Sequence, residues 1–137
     1  MIKLEKISYL KLSPRQQENY NYAKVASALA DYGFQTIKLS DDWQTADFIA
    51  QHIDKKTFLK VQLKSKLCIA KKYKNKDLWI CYREKDYFFL YPHDEVCQFI
   101  LENTNVENTV SWKKQGIYYW PKTPKKIGYF LKQYKFS

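Results

Sequence analysis

Asp47, Gln62 and Lys64 are side chains whose types and spacing could do chemistry together. Leu59, Val61 and Leu63 alternate with Lys60, Gln62 and Lys64. This is the period-two pattern of a strand with one face in a core, so Gln62 and Lys64 share the other face. The preceding segment, 46–53, reads as a partner strand joined through Asp54-Lys55-Lys56. A two-residue turn centred on Asp54-Lys55 sets Asp47 opposite Gln62, and one centred on Lys55-Lys56 sets it opposite Lys64. Both registers bring an acid, an amide and an ammonium onto one face of a sheet. Carboxylate and amide oxygens suit a small hard cation such as Mg²⁺ or Mn²⁺, and the ammonium can stabilise charge developing on a phosphate.

A helix and a further strand must hold that hairpin in place. Ser13-Pro14-Arg15-Gln16 combines a capping box with proline at the first helical position, which predicts a helix from there to about Tyr32, closed by Gly33. Its apolar stripe is Tyr22, Val25, Leu29 and Tyr32, and one turn back along the stripe falls Glu18. Glu18 therefore either points toward the sheet edge carrying Asp47 or is an exposed carboxylate favoured by the helix dipole. Residues 34–39 read as a strand and 40–45 as a loop, in which Asp41 and Asp42 are turn chemistry before they are metal ligands. Residues 1–12 read as a short edge strand or an arm.

Every charged residue from Lys55 to Lys76 is a lysine. Such a run is ordinarily a solvated face. Here it flanks Lys64 on both sides and favours a surface that tracks phosphates, with Lys66, Lys71, Lys72, Lys74 and Lys76 as the backbone contacts. The whole chain of 137 residues carries a formal charge of +10, so an acidic partner is expected. Nucleic acid is the commonest such partner, against the blander readings of a membrane surface or solubility. With 45% hydrophobic residues, 3 Gly and 4 Pro, the chain reads as one globular domain over 1–137. No apolar run serves as a signal peptide or reaches membrane-spanning length, which points to a cytoplasmic protein without a membrane partner. Cys68, Cys81 and Cys97 lack CxxC spacing and read as buried free thiols.

Residues 77–83 and 87–91 read as a second hairpin around Glu84-Lys85-Asp86. Pro92-His93-Asp94 opens a helix with Val96, Phe99 and Ile100 on its packing face. His93 is more a cap or surface group than a general base, and His52 is a lone strand histidine. Residues 103–108 read as loop, and 110–120 hold a strand with an aromatic cluster. Thr123-Pro124 repeats the cap-then-proline start, with Ile127, Phe130, Leu131 and Tyr134 as the buried stripe of a last helix. No acid follows Glu107, so the C-terminal third forms a second basic surface.

Asp47 on one strand and Gln62-Leu63-Lys64 on the next resemble the PD-(D/E)xK nuclease superfamily, with Gln62 where most members carry an acid. The resemblance spans about residues 13–92, and it implies a restriction-endonuclease-like αβββαβ core, here about 13–103, with a basic extension at about 104–137. The fold so implied is α/β, with a mixed central sheet of four to five strands flanked by helices. The function implied is Mg²⁺-dependent (or Mn²⁺-dependent) cleavage of double-stranded or branched DNA. Asp47 and Gln62 would bind metal, Glu18 would be an auxiliary ligand and Lys64 the catalytic cation. A homodimer is likewise implied by resemblance alone. The rival expectations are a nuclease-fold DNA-binding module that has lost catalysis, and a small basic adaptor for an acidic protein.

Overall fold

The computed structural model describes residues 2–43 and 45–137, and of 42 and 43 the backbone alone. Met1 in the expected arm and Gln44 in the expected loop lie outside the described residues. Residues 2–8 lead, with Ile2, Leu4 and Ile7 exposed, into a short 3₁₀ turn at Tyr9–Lys11, so this segment is an arm. Helix α1 (Pro14–Ala30) starts where expected. Ser13 Oγ accepts from the Gln16 N–H at 3.3 Å, and Gln16 Oε1 accepts from the Ser13 N–H at 2.9 Å. Ser13→Ala removes one half of this box and is expected to cost about 1 kcal/mol, read as a lower urea midpoint. Val25 and Leu29 of the expected stripe are buried, whereas Tyr32 is 48% exposed. The helix stops at Ala30, and Gly33 turns the chain with φ of 84°, which carries Tyr32 off the packed face.

The strands follow as β1 (Phe34–Trp43), β2 (Ala46–His52), β3 (Phe58–Lys64), β4 (Cys68–Ala70), β5 (Leu78–Glu84) and β6 (Tyr87–Pro92). Helix α2 (His93–Asn103), strand β7 (Ile117–Tyr119), helix α3 (Lys125–Leu131) and strand β8 (Lys135–Phe136) complete the chain. Six strands form one sheet in the order β1-β2-β3-β5-β6-β8, and β4 pairs with β7 separately. Only the β3–β5 contact in the six-stranded sheet is parallel. The architecture is the expected mixed α/β sheet flanked by helices, with six strands in place of four to five because the C-terminal β8 adds to the edge at β6. A parallel pair needs a crossover, and residues 65–77 make it, carrying β4 and much of the lysine run.

Alternation along β2, β3, β5 and β6 gives the sheet two apolar faces. Phe48, Ala50, Val61, Cys81 and Phe88 pack on Val25 and Leu29 of α1. Ile80, Tyr82, Phe89 and Tyr91 face α2 and α3 through Val96, Ile100, Ile127 and Leu131. Cys68, Cys81 and Cys97 are free and buried, as expected. Burial raises the Cys68 and Cys97 thiols to about 11.

Several local expectations are corrected. The loop expected at 40–45 is strand through Trp43, because β1 shifts register between Lys38 and Trp43 and resumes pairing with β2 at Ala46. The β2–β3 connection is wider than a two-residue turn: His52 N–H donates to Thr57 O across four intervening residues. The Asp54 carboxylate accepts from the Thr57 hydroxyl at 2.6 Å and from the Thr57 and Lys56 N–H groups at 2.8 Å. These bonds hold its carboxyl well below the usual range. Thr123 does not cap α3, whose N-cap is Pro124. Its hydroxyl bonds Tyr82 and Glu84 instead.

His93 is neither a surface group nor a cap. It is fully buried, its Nε2 accepts from the Ala70 N–H at 3.1 Å, and its Nδ1 lies 2.9 Å from Asp94 Oδ1. The proton therefore sits on Nδ1, and the neutral ring ties α2 to β4. Burial depresses its pKa, against the opposing pull of Asp94.

Candidate active-site cleft

The β2–β3 ladder runs from Gln51↔Phe58 to Phe48↔Val61, the register that sets Asp47 across from Gln62. Beyond that last pair the Leu63 N–H donates to Asp47 Oδ2 at 2.8 Å. The carboxylate thus takes a backbone donor from the very residue between Gln62 and Lys64, and the two strand ends are locked together through the acid's own side chain. Asp47, Gln62 and Lys64 are all half-buried.

These three side chains line one cleft of about 830 Å³, and Glu18 reaches the same cleft from the N-terminal half of α1. Glu18 is exposed, so it stands at the cleft wall and not in packed core. The cleft brings together all four residues singled out from the acid-amide-lysine spacing and the helix before it. Lys64 Nζ also lies 5.4 Å from the centroid of the Tyr73 ring, where the aromatic face attracts the ammonium.

Several lining groups were not singled out. Asp41 is exposed and lines the cleft because the irregular β1 continues past the point where a loop was expected. Nothing in its Ser-Asp-Asp context distinguishes it from a turn. Tyr9 is fixed at the cleft by two residues of α1: its hydroxyl accepts from Asn21 Nδ2 at 2.9 Å and its carbonyl from Gln17 Nε2 at 3.2 Å. Lys38 donates to Asn19 Oδ1 at 2.7 Å and lies over the Tyr22 ring. Tyr9 precedes the helix-start signal, and Lys38 belongs to a strand that alternation placed without assigning it a partner.

The lysine run does not form one band. Lys66 Nζ lies 5.2 Å from the Tyr119 ring centroid and Lys72 Nζ 5.2 Å from that of Tyr73. Lys71 and Lys72 line a separate small cleft. Lys74 and Lys76 belong to the far side of the crossover. The Asn75 N–H donates to Asp94, and the Lys76 carbonyl accepts from Lys60 at the start of β3. Four residue steps along the strand, about 13 Å, separate Lys60 from Lys64. Neither histidine lines the cleft. His93 is buried as described, and His52 Nδ1 accepts from the Asp54 N–H at 3.2 Å.

Among the described residues no three His, Cys, Asp or Glu side chains cluster as a metal site. The donors at the cleft include hard oxygens of Asp47, Gln62, Glu18 and Asp41, with room for water and a phosphate. That chemistry fits Mg²⁺, which uses one or two carboxylates and keeps several waters, and does not fit a soft or closed four-ligand site.

No protein-family model matches the sequence, and no curated protein matches it significantly. Among solved structures, the chain is similar to the bacterial homing endonuclease I-Ssp6803I, with 12% identity and a TM-score of 0.51 over 85% of this chain and 86% of that one. It is also similar to Hjc of Archaeoglobus fulgidus, a Holliday junction resolvase from an archaeal hyperthermophile, with 11% identity and a TM-score of 0.45 over 56% of this chain and 72% of that one. The likeness to the homing endonuclease is one of fold.

Proposed function

We propose that this chain is an endonuclease that hydrolyses phosphodiester bonds of DNA with Mg²⁺ or Mn²⁺. The observation that carries the reading is the Asp47 carboxylate bonded to the Leu63 N–H, which fixes an acid beside Gln62 and Lys64 in a cleft that Glu18 also enters. The shared fold with an endonuclease supports it.

Asp47 and the Gln62 side-chain oxygen would hold the ion, with Glu18 as an auxiliary ligand. When bound, such an ion supplies charge stabilisation at phosphorus and a more acidic water. The remaining work falls to the chain. The Leu63 N–H holds the Asp47 carboxylate in one orientation, so little reorganisation accompanies the reaction. The Lys64 ammonium orients the attacking water or offsets the negative charge that grows on the phosphate oxygens. Water's oxygen forms the new P–O bond as the bond to the leaving sugar oxygen breaks, and that oxygen takes up a proton. Two copies acting together would cut both strands.

Gln62 is neutral and binds a cation less well than an acid at the same place. Gln62→Glu is expected to tighten Mn²⁺ binding in the absence of DNA on the order of tenfold, measured by calorimetry. Unchanged affinity would place Gln62 outside the metal's reach. The neutral Gln62 also favours a second reading, a DNA-binding module without catalysis. The deciding experiment incubates the purified chain with supercoiled plasmid, linear duplex and four-way junction DNA in Mg²⁺ or Mn²⁺. Nicking or linearisation that chelation stops is expected. Binding without cleavage of any of the three substrates would overturn the endonuclease reading in favour of the module.

A further inference from the structure

A second basic cleft, of about 390 Å³, lies between the turn after β4 and the turn before β7, lined by Lys71, Lys72, Lys113 and Lys114. Lys71 is held in place there. Its N–H donates to Gly116 O at 2.7 Å, and its Nζ lies 5.4 Å from the Trp112 ring centroid. A Cβ on Gly116 would meet the Lys71 stem at 3.3 Å, so the stem packs closely on the bare glycine backbone, which has φ of 68°. Lys113 and Lys114 project from the π-helical turn Ser111–Gln115, which this glycine closes. Among the described residues neither ion pair, His52–Asp54 nor His93–Asp94, involves any of these four lysines. Like charges gathered around one cleft repel each other, and an anion seated between them relieves that repulsion.

We propose that this cleft is a phosphate-backbone subsite for duplex DNA, engaging the duplex to one side of the active-site cleft. The phosphate recognition stands on the lysines alone, and its relation to a scissile bond rests on the endonuclease reading above. The ammoniums of Lys64 and Lys72, one lining each cleft, both lie within 5.4 Å of the centroid of one ring, that of Tyr73, so the two clefts are neighbours. A duplex, with a charge for about every 1.7 Å of axis, presents phosphates to both clefts whatever the spacing between them. An acidic peptide presents its charges at irregular points and needs partners of matching spacing.

The test measures binding of a fluorescent blunt duplex by anisotropy, in chelator, across a salt series. The Lys113→Gln/Lys114→Gln protein is compared with the wild type and with Lys55→Gln/Lys56→Gln. The comparison variant loses equal charge from the β2–β3 loop, at the end of those strands remote from Asp47. Removing Lys113 and Lys114 is expected to make the log–log salt slope shallower by about 2 and to weaken binding on the order of tenfold at low salt. The comparison variant is expected to stay within about twofold of wild type. Equal effects of the two double variants, no duplex binding by wild type, or competition by polyglutamate matching that of unlabelled duplex would each overturn the subsite. Because no cleavage is read, the two proposals fail separately. A lysine-dependent slope in a protein that never cuts leaves the subsite standing, and a cutting protein with an unaltered slope removes the subsite only.

Discussion

Asp47→Asn is expected to lower DNA cleavage at saturating Mg²⁺ by at least about 10³-fold while duplex binding in chelator stays within about threefold of wild type. The substitution keeps the size of the side chain and an oxygen that can still accept from the Leu63 N–H, which in the native chain donates to Asp47 Oδ2 at 2.8 Å. What it removes is the charge that would hold a divalent ion. Lys64→Ala acts on the other side of the reaction by withdrawing a cation already placed at the cleft wall. Loss of one preorganised charge of this kind costs on the order of 10² to 10³ in rate. Single-turnover cleavage with excess protein separates these losses from weakened binding. Rates within a few-fold of wild type for both variants would mean that the acid and the lysine are not the catalytic pair, and that any activity observed arises elsewhere.

The largest expected effect on stability comes from a residue that does not line the cleft. His93→Ala leaves the buried Ala70 N–H without the acceptor it has at 3.1 Å, a loss of about 1–3 kcal/mol. It also empties the space of a fully buried ring that meets Tyr73 edge-on. Together the expected destabilisation is about 3 kcal/mol, read as a shift of the urea midpoint at pH 7. The same contact makes stability depend on pH. Burial holds the His93 pKa below its ordinary 6.5, so the unfolded chain takes up this proton before the folded one. The contribution is complete above about pH 6.5 and is lost as pH falls from there through the folded pKa. His93→Gln, which keeps an acceptor without titrating, is expected to flatten that part of the profile in urea melts between pH 7 and 5. A parallel profile for variant and wild type would assign the acid sensitivity to other groups.

Local patterns made much of the molecule legible. The Ser13-to-Gln16 capping box satisfies the donors at the start of α1 by itself, and such a signal needs no distant partner. Alternation assigned Leu59, Val61 and Leu63 to the packed face and Gln62 and Lys64 to the other, because side-chain direction in a strand follows from the backbone alone. The hairpin left two registers open, and the wide Asp54 loop with the Phe48↔Val61 pairing chose between them. Asp41 was illegible because a shift of register in β1 is set by what β2 offers opposite it. His93 was illegible for a similar reason: its partner, the Ala70 N–H, lies in another element, and no spacing along the chain announces it.

The sequence by itself determined which residues could act, namely an acid, an amide and a lysine on two short strands, a glutamate on a capped helix, and an excess of lysine. Those are properties of local backbone period and charge. Only the tertiary structure decided which of them share a space. The parallel β3–β5 pairing forces residues 65–77 to cross over. That crossing keeps Lys71 and Lys72 beside Lys113 and Lys114 and sends Lys76 to the opposite end of β3. Pairing between distant segments depends on the whole sheet and both of its packed faces, so no stretch of the chain read alone contains it.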